Sequence, residues 1–333
     1  MICEQFSSTL LRTPILKYVS TQPLTARLAT PTVLLYAAGY PIGSAAVTVM
    51  SPFLVVALRF AVSAVLVWII VIARGTVLPS WRMIGHAVVA GLMTQATQFL
   101  GVYWALSRGV SSGLASLVIA LNPVVTAAII WMVFRRRESR QGVIALALAV
   151  CAVVLACTPK LIEDHSVGAG VIAAVVAVVG LSAGGIYQSS KCADLDVWLI
   201  TAIGLTASAP VAALMASISP ATTTDWPQAI ALLAIMVVFT SIGATTLYAA
   251  CIKRAGARAA SILFAVIPAA ATLMAWIALD EAVSVLTFAG LFLGAAACIA
   301  QGQAGTHGKQ SRTVMNSPGS SRSTTTSSSG GEV

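Results

Sequence analysis

Long apolar blocks separated by short polar turns run through most of this chain. Ten can be drawn: about 31–50, 52–73, 84–106, 112–134 and 141–158, then about 168–189, 197–218, 228–250, 258–279 and 284–302. Blocks of about 18 residues or more with almost no charge are long enough to cross a hydrocarbon core of about 30 Å, at about 1.5 Å per residue. The alternation of a membrane-spanning strand is missing, so the blocks read as helices and not as a barrel. The links between them leave no room for an inserted soluble domain.

One part of the pattern occurs twice. The stretch from Tyr103 to Arg136 returns from Tyr248 to Glu281, 145 residues later and without a gap. Tyr103 falls on Tyr248, Ala105 on Ala250, Ala115 on Ala260, Ser116 on Ser261, Ala120 on Ala265, Pro123 on Pro268 and Trp131 on Trp276. Each proline removes a helical amide and frees the carbonyl four residues earlier, at Ile119 and Phe264. Near mid-bilayer such a carbonyl needs a partner or a water-lined cavity. A duplicated, proline-interrupted apolar segment is the best sequence-level pointer to a transporter's binding site.

Charge supplies the orientation. With both termini placed in the cytoplasm, sixteen of the nineteen lysines and arginines fall on the inner side; Arg108 and Lys160 fall outside and Arg59 within a span. By the positive-inside rule this split fixes the topology. Five helices per half is an odd number, so the second half must enter from the opposite face. The expected fold is therefore an all-α integral membrane protein of ten transmembrane helices, arranged as two inverted five-helix repeats. The first repeat covers 31–158 and the second 168–302, between a cytosolic segment at 1–30 and a disordered Ser/Thr-rich tail at 303–333.

Several polar residues inside the blocks are candidates for a substrate site. Arg59 is expected either to face water, a carbonyl, an acid or an anionic substrate group, or to snorkel outward and brace the fold. Gln95 and Gln98 are three apart on one helical face, and Asn122 and Thr126 four apart on the next. Ser241, Thr245 and Tyr248 share a face in the second half, as do Pro268, Thr272 and Trp276. With Tyr103 and Pro123, these stripes suit a cavity for an amphipathic small molecule, or else hydrogen bonds between helices. Gly39/Gly43, Gly180/Gly184 and Gly290/Gly294 are spaced for close helix packing.

Acids contribute little to this picture. No Asp or Glu lies at the centre of a block, which argues against a site for a permanent cation; Asp280 and Glu281, at the outer end of the ninth block, are the candidates for gating or coupling. The six cysteines and three histidines form no metal-binding or nucleophilic constellation. No phosphate-binding loop is present, so direct coupling to ATP is excluded. With 58% hydrophobic and 9% charged residues, the partners expected are the lipid bilayer and a small-molecule substrate, with no nucleic acid and no cofactor. A homodimer is compatible with the sequence.

With the repeat, the ten blocks and the basic inner turns in place, the chain resembles the EamA-type branch of the drug/metabolite transporter superfamily. The residues carrying the resemblance are Pro52 to Phe60, the run from Tyr103 to Pro123, Tyr248 with Ala249, and the run from Pro268 through Glu281 to Gly290. At Arg136 the chain departs from the pattern, which expects an acid there. The resemblance implies a ten-helix carrier of the cell membrane that moves metabolites, amino acids or toxic compounds, commonly outward. A facilitator or importer of sugars or amino acids is the alternative within transport. A membrane enzyme acting on lipid would need clustered acids or histidines, and a purely structural subunit would need no central polar cavity.

Overall fold

The structure, a computed structural model, describes residues 24–134, 144, 147–148, 151, 167–220, 222–279, 285, 289 and 292–293. Among these residues the secondary structure is helical, apart from one isolated bridge between Met50 and Thr223. The first half contains α1 (Ala26–Val49), α2 (Pro52–Ala73), α3 (Trp81–Gly91), α4 (Gln98–Ser107), α5 (Ser112–Ala120) and α6 (Asn122–Phe134). The second contains α7 (Val167–Lys191), α8 (Val197–Ser217), α9 (Trp226–Ile235), α10 (Thr245–Ala255), α11 (Ala257–Ser261) and α12 (Ile267–Leu279).

The ends of these helices follow local chemistry. Asp196 accepts from the amides of Trp198 and Leu199 at 3.0 and 3.3 Å, and Asp225 from that of Gln228 at 3.1 Å, so α8 and α9 begin on side-chain caps. Pro52 opens α2, where its missing amide costs nothing. Gly256 stops α10 at a positive φ of 81°.

Six stretches among the described residues are long and apolar enough to cross a membrane: Ala26–Val49, Pro52–Ala73, Ser112–Val133, Gly168–Lys191, Val197–Ser217 and Trp226–Ala255. Trp81–Ser107 is a further continuous helical stretch whose middle carries Thr94, Gln95, Thr97 and Gln98. The fifth and tenth blocks of the sequence, 141–158 and 284–302, lie almost wholly outside the described residues.

Two interruptions recur at matching places. Between α3 and α4 the chain widens into a π-helix, Leu92–Thr97, and between α9 and α10 it does so again, at Met236–Ala244. Shifted by 145 residues, the first falls within the second. The helix carrying Pro123 breaks at Leu121, and the helix carrying Pro268 loosens into a 3₁₀ turn at Ile262–Ala265. Both breaks lie just before the proline, where the lost amide leaves the helix weakest.

Packing repeats as well. α2 lies along its counterpart α8, with Trp68 Nε1 donating to Thr206 Oγ1 at 2.9 Å. α1 packs on α12 as α7 packs on α6, and α2 meets the second π segment as α8 meets the first. Small residues permit the closest approaches. A Cβ on Gly91 would stand 2.3 Å from the Cα of Gly204, so α3 and α8 cross in backbone contact there. Gly180 and Gly184 admit Thr97 and Thr94 of the first π segment, and Gly39 and Gly43 admit Thr240 and Tyr103. The Gly290/Gly294 pair lies outside the described residues.

Candidate functional site

Arg59 sits in the second turn of α2 with its side chain completely buried. The outward-snorkelling alternative is overturned: the guanidinium points into the bundle. Its Nε donates to Ser241 Oγ at 2.5 Å and its Nη1 to Tyr103 Oη at 2.9 Å. Phe99 covers one face, 4.0 Å from the guanidinium carbon to the ring centroid. Among the described residues no carboxylate pairs with it, and Nη2 is buried without a partner. A guanidinium inside a membrane span costs about 3 kcal/mol even on insertion scales, so an edge left free is a costly feature to maintain.

Asn122, at the break between α5 and α6, is the counterpart hub. Its carbonyl oxygen accepts from Ser182 Oγ at 2.6 Å and Thr126 Oγ1 at 3.2 Å, and its amide donates to Tyr248 Oη at 3.1 Å. The duplicated tyrosines thus play parallel parts, Tyr103 holding Arg59 and Tyr248 held by Asn122. Each hub reaches into the opposite half, through Ser241 and through Tyr248 with Ser182.

Two cavities flank these hubs. The first is lined by Tyr36, Tyr40, Arg59, Gln98, Phe99 and Tyr103, with Thr240 and Ala244 across from them. The second is lined by Tyr36, Gln95, Gln188, Thr201, Thr245 and Tyr248, among others. Tyr36 walls both, and its ring meets Tyr248 and Phe264 edge-on at 5.7 and 5.1 Å. Besides Arg59 Nη2, the Oε1 atoms of Gln98 and Gln95 are buried and unpartnered. Each cavity is thus lined by at least one residue whose buried polar atom has no partner in the protein, a costly state unless water or a bound molecule meets it.

The two glutamines divide between the cavities: Gln98 lines the first and Gln95 the second. The π segment Leu92–Thr97 carries Gln95 and ends just before Gln98. In the second half Thr240 and Ala244 line the first cavity, and Thr245 and Tyr248 the second.

The remaining candidates divide. Pro123 and Pro268 are buried at the two breaks and act on the backbone. Thr272 is buried, but a Cβ on Gly113 would meet its hydroxyl at 2.8 Å, which makes it a contact between α12 and α5. Trp276 is 59% exposed, as is its repeat mate Trp131 at 44%, and lines neither cavity. Spacing alone suggested that it joined Pro268 and Thr272; here the indole faces outward. Asp280 and Glu281 lie outside the described residues. The sequence reading passed over Tyr36, Tyr40, Phe99, Ser182 and Thr201. Tyr36 and Tyr40 left a trace, being four apart beside the small residues Gly39 and Gly43.

The sequence model of a family described as the EamA-like transporter family matches residues 27–158 and again 168–300. No curated protein matches the chain. Solved structures do: one, described only as the crystal structure of a protein, is 22% identical over 82% of this chain and 96% of its own, with a TM-score of 0.60. At that identity the likeness shows the fold alone.

Proposed function

Because this chain belongs to the EamA-like transporter family, with one match in each half, we propose that it is a secondary carrier that moves small amphipathic metabolites across the cytoplasmic membrane by alternating access, in the outward direction. It is a multi-pass membrane protein; in this reading ten spans form two inverted repeats with both termini in the cytoplasm. The contact pattern supports that reading, since exchanging the halves maps α1 on α12 to α7 on α6 and leaves the α2 and α8 pair in place. The split of the basic residues supports the orientation.

The observation that carries the reading is the pair of cavities bounded by residues from both halves, with unpartnered polar atoms in each. If the halves rock about their shared axis, the hubs at Arg59 and Asn122 are strained and released in turn, and the cavities open to opposite faces. Asp280 and Glu281 are the proposed gating acids.

The test is flux. In cells lacking the gene, export of candidate amino acids and antimicrobials is measured with the wild-type chain and with Arg59→Gln and Asn122→Ala. Loss of export at normal protein levels is expected for both variants, and unchanged flux in both would sink the site. Vesicles with and without a pH gradient, together with Glu281→Gln, test the coupling. Export that responds to neither leaves facilitated diffusion.

A further inference from the structure

Arg59 brings a positive charge into a membrane-spanning helix, and the described surroundings answer it only with neutral oxygens and aromatic rings. Ser241 and Tyr103 satisfy two of its N–H groups and leave both hydrogens of Nη2 free, at the wall of the first cavity. Beside this edge, Tyr36, Tyr40 and Phe99 form an apolar wall, and Gln98 adds a carbonyl oxygen with no donor. Among the described residues a cation has no carboxylate to meet there. A neutral apolar molecule would leave the guanidinium edge and the amide oxygen unpaired.

We infer that the first cavity selects organic anions: an oxyanion head, carboxylate or phosphate, held at the free edge of Arg59, with a flat apolar body against Tyr36, Tyr40 and Phe99. Arg59 is then a specificity-determining residue. A hydroxyl or N–H next to the oxyanion would complete the site by donating to Gln98 Oε1. This inference rests on the carrier reading for its biological sense, but it is separately testable, because binding does not require movement.

The experiment uses the purified full chain in detergent and follows ligand-induced shifts in thermal unfolding. The probes are benzoate, its neutral isostere benzamide, the cation benzylamine and phenyl phosphate. Benzoate or phenyl phosphate should bind roughly 10- to 100-fold more tightly than benzamide, the ratio expected of charge-assisted hydrogen bonds, and benzylamine should not bind. Whichever anion is preferred identifies the head group. Arg59→Gln should abolish the preference and Arg59→Lys should retain part of it. If Arg59→Gln does not fold, the benzoate and benzamide comparison on the wild-type chain still decides. Equal affinity for the two, no binding of either anion, or an anion preference that survives Arg59→Gln overturns the inference. Anion binding without flux in proteoliposomes overturns the carrier reading and leaves the anion site standing. Flux of neutral compounds that is indifferent to Arg59 does the reverse.

Discussion

Replacing Gly91 with alanine should force α3 and α8 apart. The new Cβ would lie 2.3 Å from the Cα of Gly204 and 3.2 and 3.3 Å from its carbonyl carbon and amide nitrogen. Carbon atoms rest about 3.5–4.0 Å apart, so the two backbones must separate by more than about 1 Å, with no flexible side chain to absorb the change. The bond from Ser208 Oγ to the Gly91 carbonyl, already 3.4 Å, would stretch with them. Overpacking of this kind costs about 1–3 kcal/mol. At about 2–4 °C per kcal/mol for a chain of this size, the apparent melting temperature in detergent should fall by roughly 2–12 °C. Two reference substitutions sharpen the test. In Gly204→Ala the nearest obstacle is the Gln95 amide nitrogen at 2.6 Å, the end of a side chain that can swing aside, so the loss should be smaller. In Gly85→Ala nothing lies within 4 Å, and alanine is the better helix former by up to about 1 kcal/mol, so stability should hold or rise. Losses at Gly91 no larger than those at Gly204 or Gly85 would refute the backbone crossing.

Three further outcomes follow from the same geometry. Asn122→Ala removes the bonds to Ser182 and Tyr248; interhelical bonds in membranes average about 0.6 and reach about 1.7 kcal/mol each, so about 1–3 kcal/mol of stability should go, measured by thermal unfolding alongside flux. Trp276→Ala should leave export unchanged whereas Phe99→Ala should reduce it several-fold, since Trp276 faces outward and Phe99 lies on the guanidinium; equal effects would count against the placement of both. Cys192, in the turn after α7, is buried, and burial pushes its thiol up to about 11. Iodoacetamide at pH 7.5 should therefore spare Cys192 in the folded chain and modify it in the denatured chain, with labelling of the folded chain rising as the pH approaches 11, read by peptide mass spectrometry.

Much of the candidate site was legible because charge and amide groups stand out against an apolar background. Arg59, Gln95, Gln98 and Asn122 each cost too much in hydrocarbon to be decoration, and the 145-residue repeat singled out Tyr103 and Tyr248. Aromatic residues carry no such mark. Phe99 on the guanidinium and Trp276 on the outer surface read alike along the chain, since lipid and an apolar cavity wall reward the same side chains. Ser182 is one hydroxyl in a helix of small residues, and what makes it a partner is the approach of Asn122 from another helix. The π turns at Leu92–Thr97 and Met236–Ala244 were hidden for a different reason: a π turn has no propensity signature along the chain.

That widened turn also bears on descent. A π turn accommodates a residue that a regular helix would not, and the same accommodation occurs at Leu92–Thr97 and Met236–Ala244. Two separate insertions at one matching turn would be a coincidence, whereas one insertion copied with its surroundings would not. A single copied insertion would place the extra residue in an ancestral half-length chain. A half-length relative with an unbroken α-helix at this position would contradict that history. At the mate positions 59 and 204 the halves differ, arginine in one and glycine in the other, so the charge on the first cavity is carried by one half alone.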